Sequence, residues 1–314
     1  MMRFLVILSV LLFGAGPVHS AKYAGEPFSL GVGGRALAMG GASVAGPFDG
    51  SAGYWNAAGL NYLGRTNITA MHAETFGSLL NHDFVAFSRP VGDSLSRVRA
   101  YGIYLYYLGG GGIKITDFDT ESGRPYVVRE ESHGDYMLAG SLSGKVRDIF
   151  DVGLTVRVIY RDLGTISGYG LTADVGALYH LSESTVAGLV VTDLFTGFLR
   201  YSGGYSESIT PTVKPGFRLS RKTGDFTGQL SLAADMKFEG IREAAQLWLG
   251  DISIDTHLGG ELSYREMLFG RVGFDRGDFT GGVGLSWNKI NIDLAYLHNS
   301  YLDATFRASG GYSF

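Results

Sequence analysis

The sequence predicts an all-β protein, a transmembrane antiparallel β-barrel of about 14 strands with an N-terminal plug segment. Three observations predict it. The first twenty residues read as an export leader; the chain from Thr66 to the last residue breaks into about fourteen short alternating runs; and the stretch Leu30 to Leu60 fits neither pattern. The 314-residue chain holds 48 glycines, 18 tyrosines and 19 phenylalanines. Glycine at about 15% is roughly twice its usual share, and with so many aromatics it suits strands that bend around a closed sheet better than helices.

The leader comes first. Arg3 supplies a positive start, Phe4 to Phe13 is an apolar core of about ten residues, and Val18 and Ser20 fit the −3 and −1 places of a cleavage site after Ser20. Residues 1–20 are therefore expected to be a signal peptide, too short to span a membrane as a helix. No later segment offers about twenty unbroken apolar residues, which excludes a helical inner-membrane protein. The absence of cysteine excludes disulfides, thiolate catalysis, Cys-ligated zinc and a lipidated N-terminal cysteine.

Residues 21–65 are expected to form the plug. Glycine or alanine fills every second or third place of LGVGGRALAMGGASVAGPFDGSAGYWNAAGL, so the backbone turns sharply and packs closely. Leu37, Met39, Phe48, Tyr54, Trp55 and Leu60 supply apolar anchors. The residues expected to act as plug or gate are Gly33, Arg35, Met39, Trp55, Asn56 and Gly59.

Residues 66–314 are expected to be the barrel. In Asp151 to Arg161, Val152, Leu154, Val156, Val158 and Tyr160 take one face, and Thr155, Arg157 and Arg161 the other. Phe226 to Lys237, Ile252 to Arg265 and the last three runs alternate in the same way. Taken singly, each run fits either a soluble sandwich or a membrane barrel. Strand number, strand length and aromatic load favour the barrel, whose closure removes sheet edges and whose polar face lines the lumen. That face carries Arg157, Asp174, Lys214, Arg218, Asp235, Asp255, Glu261, Arg271, Asp293 and Arg307. The long connections Gly109 to His133, Phe195 to Pro211 and Phe238 to Asp251 fall on one side by parity, and the short turns on the other, the asymmetry of outer-membrane barrels. Both termini are then periplasmic. Phe314, behind Tyr312 and Phe306, is the terminal aromatic expected to be read by the outer-membrane assembly machinery.

The plug motif GVGGRALAMGGA followed by Asp49, Tyr54, Trp55, Asn56, Ala58, Gly59 and Leu60, together with HLGGELSY from His257, GVGLSWN from Gly282 and INIDLAYL from Ile290, resembles the PorV/PorQ family, a branch of the FadL-like outer-membrane barrels. Ala57 stands where that family usually has proline, which leaves a freer turn. The resemblance implies a fourteen-stranded plugged barrel. It implies either FadL-like passive transport or capture of small hydrophobic molecules, or a PorV-like role in type IX secretion as a docking platform for exported proteins.

Other chemistries find little support. Gly31, Gly33 and Gly34 lack the GxGxxG spacing and no strand precedes them, so a nucleotide site is not expected. Asp117, Asp119 and Glu121 echo a calcium loop, but Ser122 and Val128 stand at its glycine and glutamate positions. The histidines show no metal-ligand spacing, and His298, Asn299 and Ser300 are too close in sequence to serve as nucleophile and base. No metal, cofactor, nucleic-acid partner or enzymatic activity is expected. The apolar stretch Phe195, Phe198, Leu199 and Tyr201 reads as a ligand-access or docking loop, and Glu239 to Leu249 as a short helix over the mouth carrying Trp248. Expected partners are outer-membrane lipid and lipopolysaccharide, the assembly machinery, and a small hydrophobic ligand or a secreted protein.

Overall fold

The computed structural model describes residues 19–20, 25–46, 48–75, 79–91, 97–147, 149–194, 197–240, 245–300 and 304–314. Its strands are β1 (His19–Ser20), β2 (Asn67–Thr75), β3 (Leu80–Pro90), β4 (Val98–Phe118), β5 (Pro125–Arg147), β6 (Phe150–Asp162), β7 (Ser167–Ser182), β8 (Thr185–Thr192), β9 (Gly197–Tyr201) and β10 (Ser206–Ile209). They continue as β11 (Thr212–Thr223), β12 (Phe226–Lys237), β13 (Leu247–Leu249), β14 (Ile252–Tyr264), β15 (Leu268–Asp275), β16 (Asp278–Trp287), β17 (Ile290–Leu297) and β18 (Thr305–Ser313). Fourteen of these, β2 to β8, β11, β12 and β14 to β18, form a closed antiparallel barrel. The seam is β18 against β2, in register from Arg307 opposite Ala73 to Ser313 opposite Asn67. The leader expected over residues 1–20 lies outside the described residues except for β1, whose backbone pairs in parallel with β10.

Alternation sets the two faces. Along β6 the exposed side chains are Phe150, Val152, Leu154, Val156 and Val158, while Asp151, Thr155, Arg157 and Ile159 point inward and are buried. A closed barrel with an apolar outside and charges inside is built for lipid. Aromatic pairs mark two levels on the outside. At the end that carries Phe314, Phe150 packs on Tyr179 (4.8 Å) and Phe226 on Tyr264 (5.1 Å). At the opposite end Tyr107, Tyr136, Tyr160 and Tyr169 form a ladder with spacings of 5.0, 5.9 and 4.9 Å. Phe150 and Tyr160 are about 33 Å apart along the strand, or about 25 Å along the membrane normal at a ~40° tilt, the height of a hydrocarbon band.

The two ends differ in their connections. Turns at the Phe314 end are tight: Arg265 and Glu266 both take φ above +50°, the mirror-image turn that matches strand twist. At the other end the structure departs from the expected loops. Most of Gly109 to His133 is strand, because β4 and β5 run on past the barrel to Phe118 and back from Pro125. Register shifts at Gly110/Ile113 and Ile115/Thr116 break the alternation there, so it read as a loop. Asp119 caps this hairpin, accepting hydrogen bonds from Ser122 and the Glu121 amide that hold its carboxyl below the usual carboxylate range. Phe195 to Pro211 contains the hairpin β9–β10. The helix expected over Glu239 to Leu249 is not formed at its C-terminal end: β13 is extended and pairs with Ile252 to Ile254 of β14.

Residues 25–46 and 48–65 run inside the ring as short helical turns, over Glu26–Phe28, Gly34–Ala38, Ala52–Trp55 and Ala57–Tyr62. Their polar partners lie all round the wall. The Gly34 amide donates to Ser309 on β18 (2.9 Å), Thr280 on β16 donates to the Ala38 carbonyl (3.1 Å), and Ser231 on β12 to the Gly46 carbonyl (3.1 Å). Thr155 on β6 donates to the Gly53 carbonyl (3.1 Å). The backbone comes this close because the wall offers inward-facing glycines. A Cβ on Gly259 would lie 2.6 Å from the Met39 Cβ, and one on Gly273 2.5 Å from the Gly40 nitrogen.

This contact pattern predicts a contrast between two glycines. Gly273→Val overpacks the inner segment and is expected to cost about 1–3 kcal/mol, lowering the temperature at which the folded band is lost in a heat-modifiability gel. Gly140→Val, where a Cβ meets nothing within 4 Å, is expected to leave that temperature unchanged or raise it. Equal effects would contradict the packing described.

Candidate functional site

The lumen on the side away from Phe314 contains a cavity of about 540 Å³. One wall is apolar, built from Leu30, Leu37, Val44, Tyr54, Trp55, Leu108 and Leu297. The inner segment supplies most of it. Trp55 is fixed by its indole N–H on the Val32 carbonyl (2.9 Å) and stands edge-on to Tyr54 (5.2 Å). Tyr54 in turn donates to the Phe28 carbonyl (2.7 Å) and lies in an aromatic cluster with Phe84, Tyr104 and Tyr106. The Tyr54 and Tyr106 hydroxyls donate to the Phe28 and Pro27 carbonyls, and the rings present an apolar surface to the space above.

The other wall is charged, and several of its charges are paired with one another. Lys214 pairs with Asp235 (2.6 Å), Lys237 with Glu26, and His257 with Asp275 (3.1 Å), the His257 Nδ1 also meeting the Gly40 carbonyl (2.9 Å). Arg307 is buried and its guanidinium meets His82 (2.5 Å). Polar groups here hold the wall in one arrangement and leave few free donors for a polar solute.

Deeper in, buried ion pairs brace the barrel wall, and one of them ties the segment to it. Glu261 accepts hydrogen bonds from Nε and Nη2 of Arg35 (2.9 and 2.6 Å) and from Arg271 (2.6 Å), which also bonds Asp293 (2.6 Å). Arg157 bridges Asp174 (2.5 Å) and Asp193 (3.0 Å). Charges buried this far need their partners, since desolvation without pairing is costly. Towards the Phe314 end the lumen is filled by residues 48–63. Phe48 stacks on Tyr62 (5.5 Å), Tyr62 bonds Asp151 (3.1 Å) and His180, and Asn61 donates to Asp151 (2.9 Å).

The residues singled out in the sequence fall as follows. Gly33 precedes the turn Gly34–Ala38 with φ +82°. Arg35 makes the Glu261 pair, Met39 is fully buried against Gly259 and Gly273, and Trp55 lines the cavity. Asn56 is buried, donates to the Val44 carbonyl (2.8 Å) and accepts from the Ala58 amide (3.1 Å). Gly59 faces the Phe48 ring. Of the expected access loop, Phe195 lies outside the described residues, Phe198 is exposed, and Leu199 and Tyr201 are buried on β9 and point inward. Trp248 is exposed on β13, which pairs with β14, whereas β9 pairs with β7. The structure does not bring Phe198 and Trp248 into one strand pair. Among the expected lumen charges, Arg218 joins neither network. Tyr104, Tyr106, Phe84 and the Lys214–Asp235 pair were not singled out as site residues. The run Val98 to Leu108, aromatic on both faces, was the signal: Tyr104, Tyr106 and Leu108 face the lumen while Tyr101, Ile103 and Leu105 face out.

Fold and lumen define a class: a closed fourteen-stranded transmembrane β-barrel whose interior is occupied by its own N-terminal segment. Among solved structures the chain is similar to the CymD monoaromatic hydrocarbon channel, with TM-score 0.61, 13% identity, and coverage of 91% of this chain and 98% of that one. It is similar to the Pseudomonas putida toluene transporter TodX, with TM-score 0.60, 12% identity, and 90% and 99% coverage. A Pseudomonas aeruginosa FadL homologue gives TM-score 0.51 at 13% identity, with 90% and 97% coverage. These likenesses establish the FadL-type barrel fold. No protein-family model and no curated protein sequence matches the chain.

The shared carboxylate of the lock yields an ordering of variants. Glu261→Leu strands the Arg35 guanidinium and takes one of two carboxylate partners from the buried Arg271, and is expected to cost about 3–5 kcal/mol. Arg35→Met leaves Glu261 paired with Arg271 and is expected to cost about 2 kcal/mol. Thermal unfolding in detergent checks the order, and a milder effect of Glu261→Leu would contradict it.

Proposed function

We propose that this chain is an outer-membrane channel of a diderm bacterium that captures small hydrophobic molecules at its outer mouth and passes them inward. In this reading residues 1–20 are removed on export, residues 21–65 are the plug, residues 66–314 are the barrel, and both termini are periplasmic. The observation that carries it is the cavity of about 540 Å³ with an aromatic and aliphatic wall, a volume within the range of small-molecule sites. The fold likeness to proteins described as monoaromatic hydrocarbon channels and a toluene transporter supports the same substrate class.

The proposed path has three stages. Apolar side chains at the outer rim, Phe198 and Trp248, collect the ligand beside the outer-leaflet lipopolysaccharide. The ligand then displaces water from the wall made by Trp55, Tyr54, Leu37 and Leu108, and burial of its apolar surface supplies the binding energy. Passage onward requires residues 48–63 to move, with Asn56 as the clip that holds the closed form through the Val44 carbonyl. Gly33, Arg35, Met39 and Gly59 hold the remainder of the plug against the wall. Phe314 is the residue offered to the assembly machinery. A docking platform of the PorV type has no need of an internal apolar cavity, so the cavity weighs against that reading.

The test is binding of toluene to the purified protein in detergent, followed through tryptophan fluorescence. Saturable binding is expected, weakened roughly tenfold by Trp55→Leu, the weight of one aromatic contact, and unchanged by Trp287→Leu on the outer face. Absence of saturable binding, or binding indifferent to Trp55, would overturn the reading.

A further inference from the structure

The lipid-facing surface carries a feature that passage through the lumen does not use. Outside β11, β12, β14 and β15 lies a trench of about 700 Å³ walled by Leu219, Leu230, Leu262 and Val272. Its floor is made by glycines. Cross-strand register sets Arg221, Gly228, Leu262 and Gly270 in one row, and Leu219, Leu230, Gly260 and Val272 in the next. Gly228 and Gly270 therefore lie in one row and Gly260 in the next, on the strand between them, and at ~4.8 Å per strand the groove extends about 14 Å across the strands.

These glycines differ from those on the inner wall. Gly259 and Gly273 are required, since a side chain there would strike the inner segment. A Cβ on Gly228 or Gly270 would meet nothing within 4 Å. Glycine inside a strand costs about 0.5–1 kcal/mol relative to alanine, and nothing within the chain accounts for it at these two places. Their effect is to open a groove towards the hydrocarbon.

Arg221 lines the lip of the groove near the Phe314 end. It lies on the outward face next to the Phe226–Tyr264 aromatic pair, at the level of lipid headgroups. Neighbouring cations at this end are neutralised, Lys222 by Glu266 (2.7 Å) and Arg265 by Asp225 (3.1 Å). Arg221 is in no ion pair among the described residues. An exposed guanidinium above an apolar groove is complementary to a phosphate with an attached acyl chain.

We propose that this trench is a binding site for one phospholipid of the periplasmic leaflet, with an acyl chain along Gly228, Gly260 and Gly270 and the phosphate on Arg221. The assignment of leaflet rests on the orientation given above; the site itself is independent of what the lumen carries.

The test is native mass spectrometry of the full protein in detergent, titrated with phosphatidylglycerol, and separately with the diacylglycerol of the same chains. One bound phosphatidylglycerol is expected on the wild type. Retention is expected to fall roughly tenfold with Arg221→Gln, the loss of one charge-assisted phosphate contact, and equally for diacylglycerol on the wild type. Gly270→Leu, which fills open space and leaves the barrel folded, is expected to lose the lipid as well, while toluene binding in the lumen is unchanged. Equal retention by all variants, no preference for the phosphate, or a dimer that Gly270→Leu dissociates would overturn the proposal.

Discussion

In hydrocarbon every backbone N–H and C=O must find a partner within the protein, and a sheet meets that demand only by closing on itself. The seam between β18 and β2 is where this chain does so, joining residues more than two hundred positions apart. Once the ring is closed, each strand's alternation is committed: one face to lipid, the other to an enclosed interior. The outward aromatic levels, the buried charges and the lumen contents all follow from that closure.

A ring of fourteen strands is too wide for its own inward side chains to fill completely. The N-terminal segment occupies part of the remainder, and two devices let it. Wall glycines allow its backbone to approach within contact distance, at Met39 and Gly40 above all. Carboxylates shared between segment and wall, Glu261 foremost, fix its position through charges that have no solvent to fall back on. The same crowding leaves one roomy region, on the side away from Phe314, where rings of the inner segment form an apolar wall opposite a largely ion-paired polar one. That division suits a ligand held by burial rather than by hydrogen bonds.

Much of the barrel was legible in the sequence because period-two alternation is a local property. Asp151 to Arg161 reads correctly residue by residue, and the tight turns at the Phe314 end follow from where alternation stops. Misreadings came where local pattern and tertiary pairing disagree. Gly109 to Gly112 and the bulges after them hid the long hairpin of β4 and β5. Ile241, Ala244, Ala245, Trp248 and Leu249 recur at helical spacing, yet Leu247 to Leu249 are drawn into pairing with β14 through a turn at Gly250, whose φ is +62°. Leu199 and Tyr201 read as part of a loop, but the pairing of β9 with β7 turns them inward. The cavity was the least legible, since Trp55, Lys214, Asp235 and His257 meet only after the ring closes and residues two hundred positions apart become neighbours.

The proposed passage requires residues 48–63 to move against the wall. The chain has no cysteine, so a single engineered disulfide can lock it cleanly. A Cβ on Gly53 would lie 3.5 Å from the Cβ of Ser141, within disulfide range. The decisive measurement is uptake of a labelled monoaromatic hydrocarbon by cells carrying the Gly53→Cys, Ser141→Cys protein, oxidised and then reduced. The account predicts that uptake is blocked while the disulfide is intact and returns on reduction. Uptake that proceeds equally through the locked protein would contradict it.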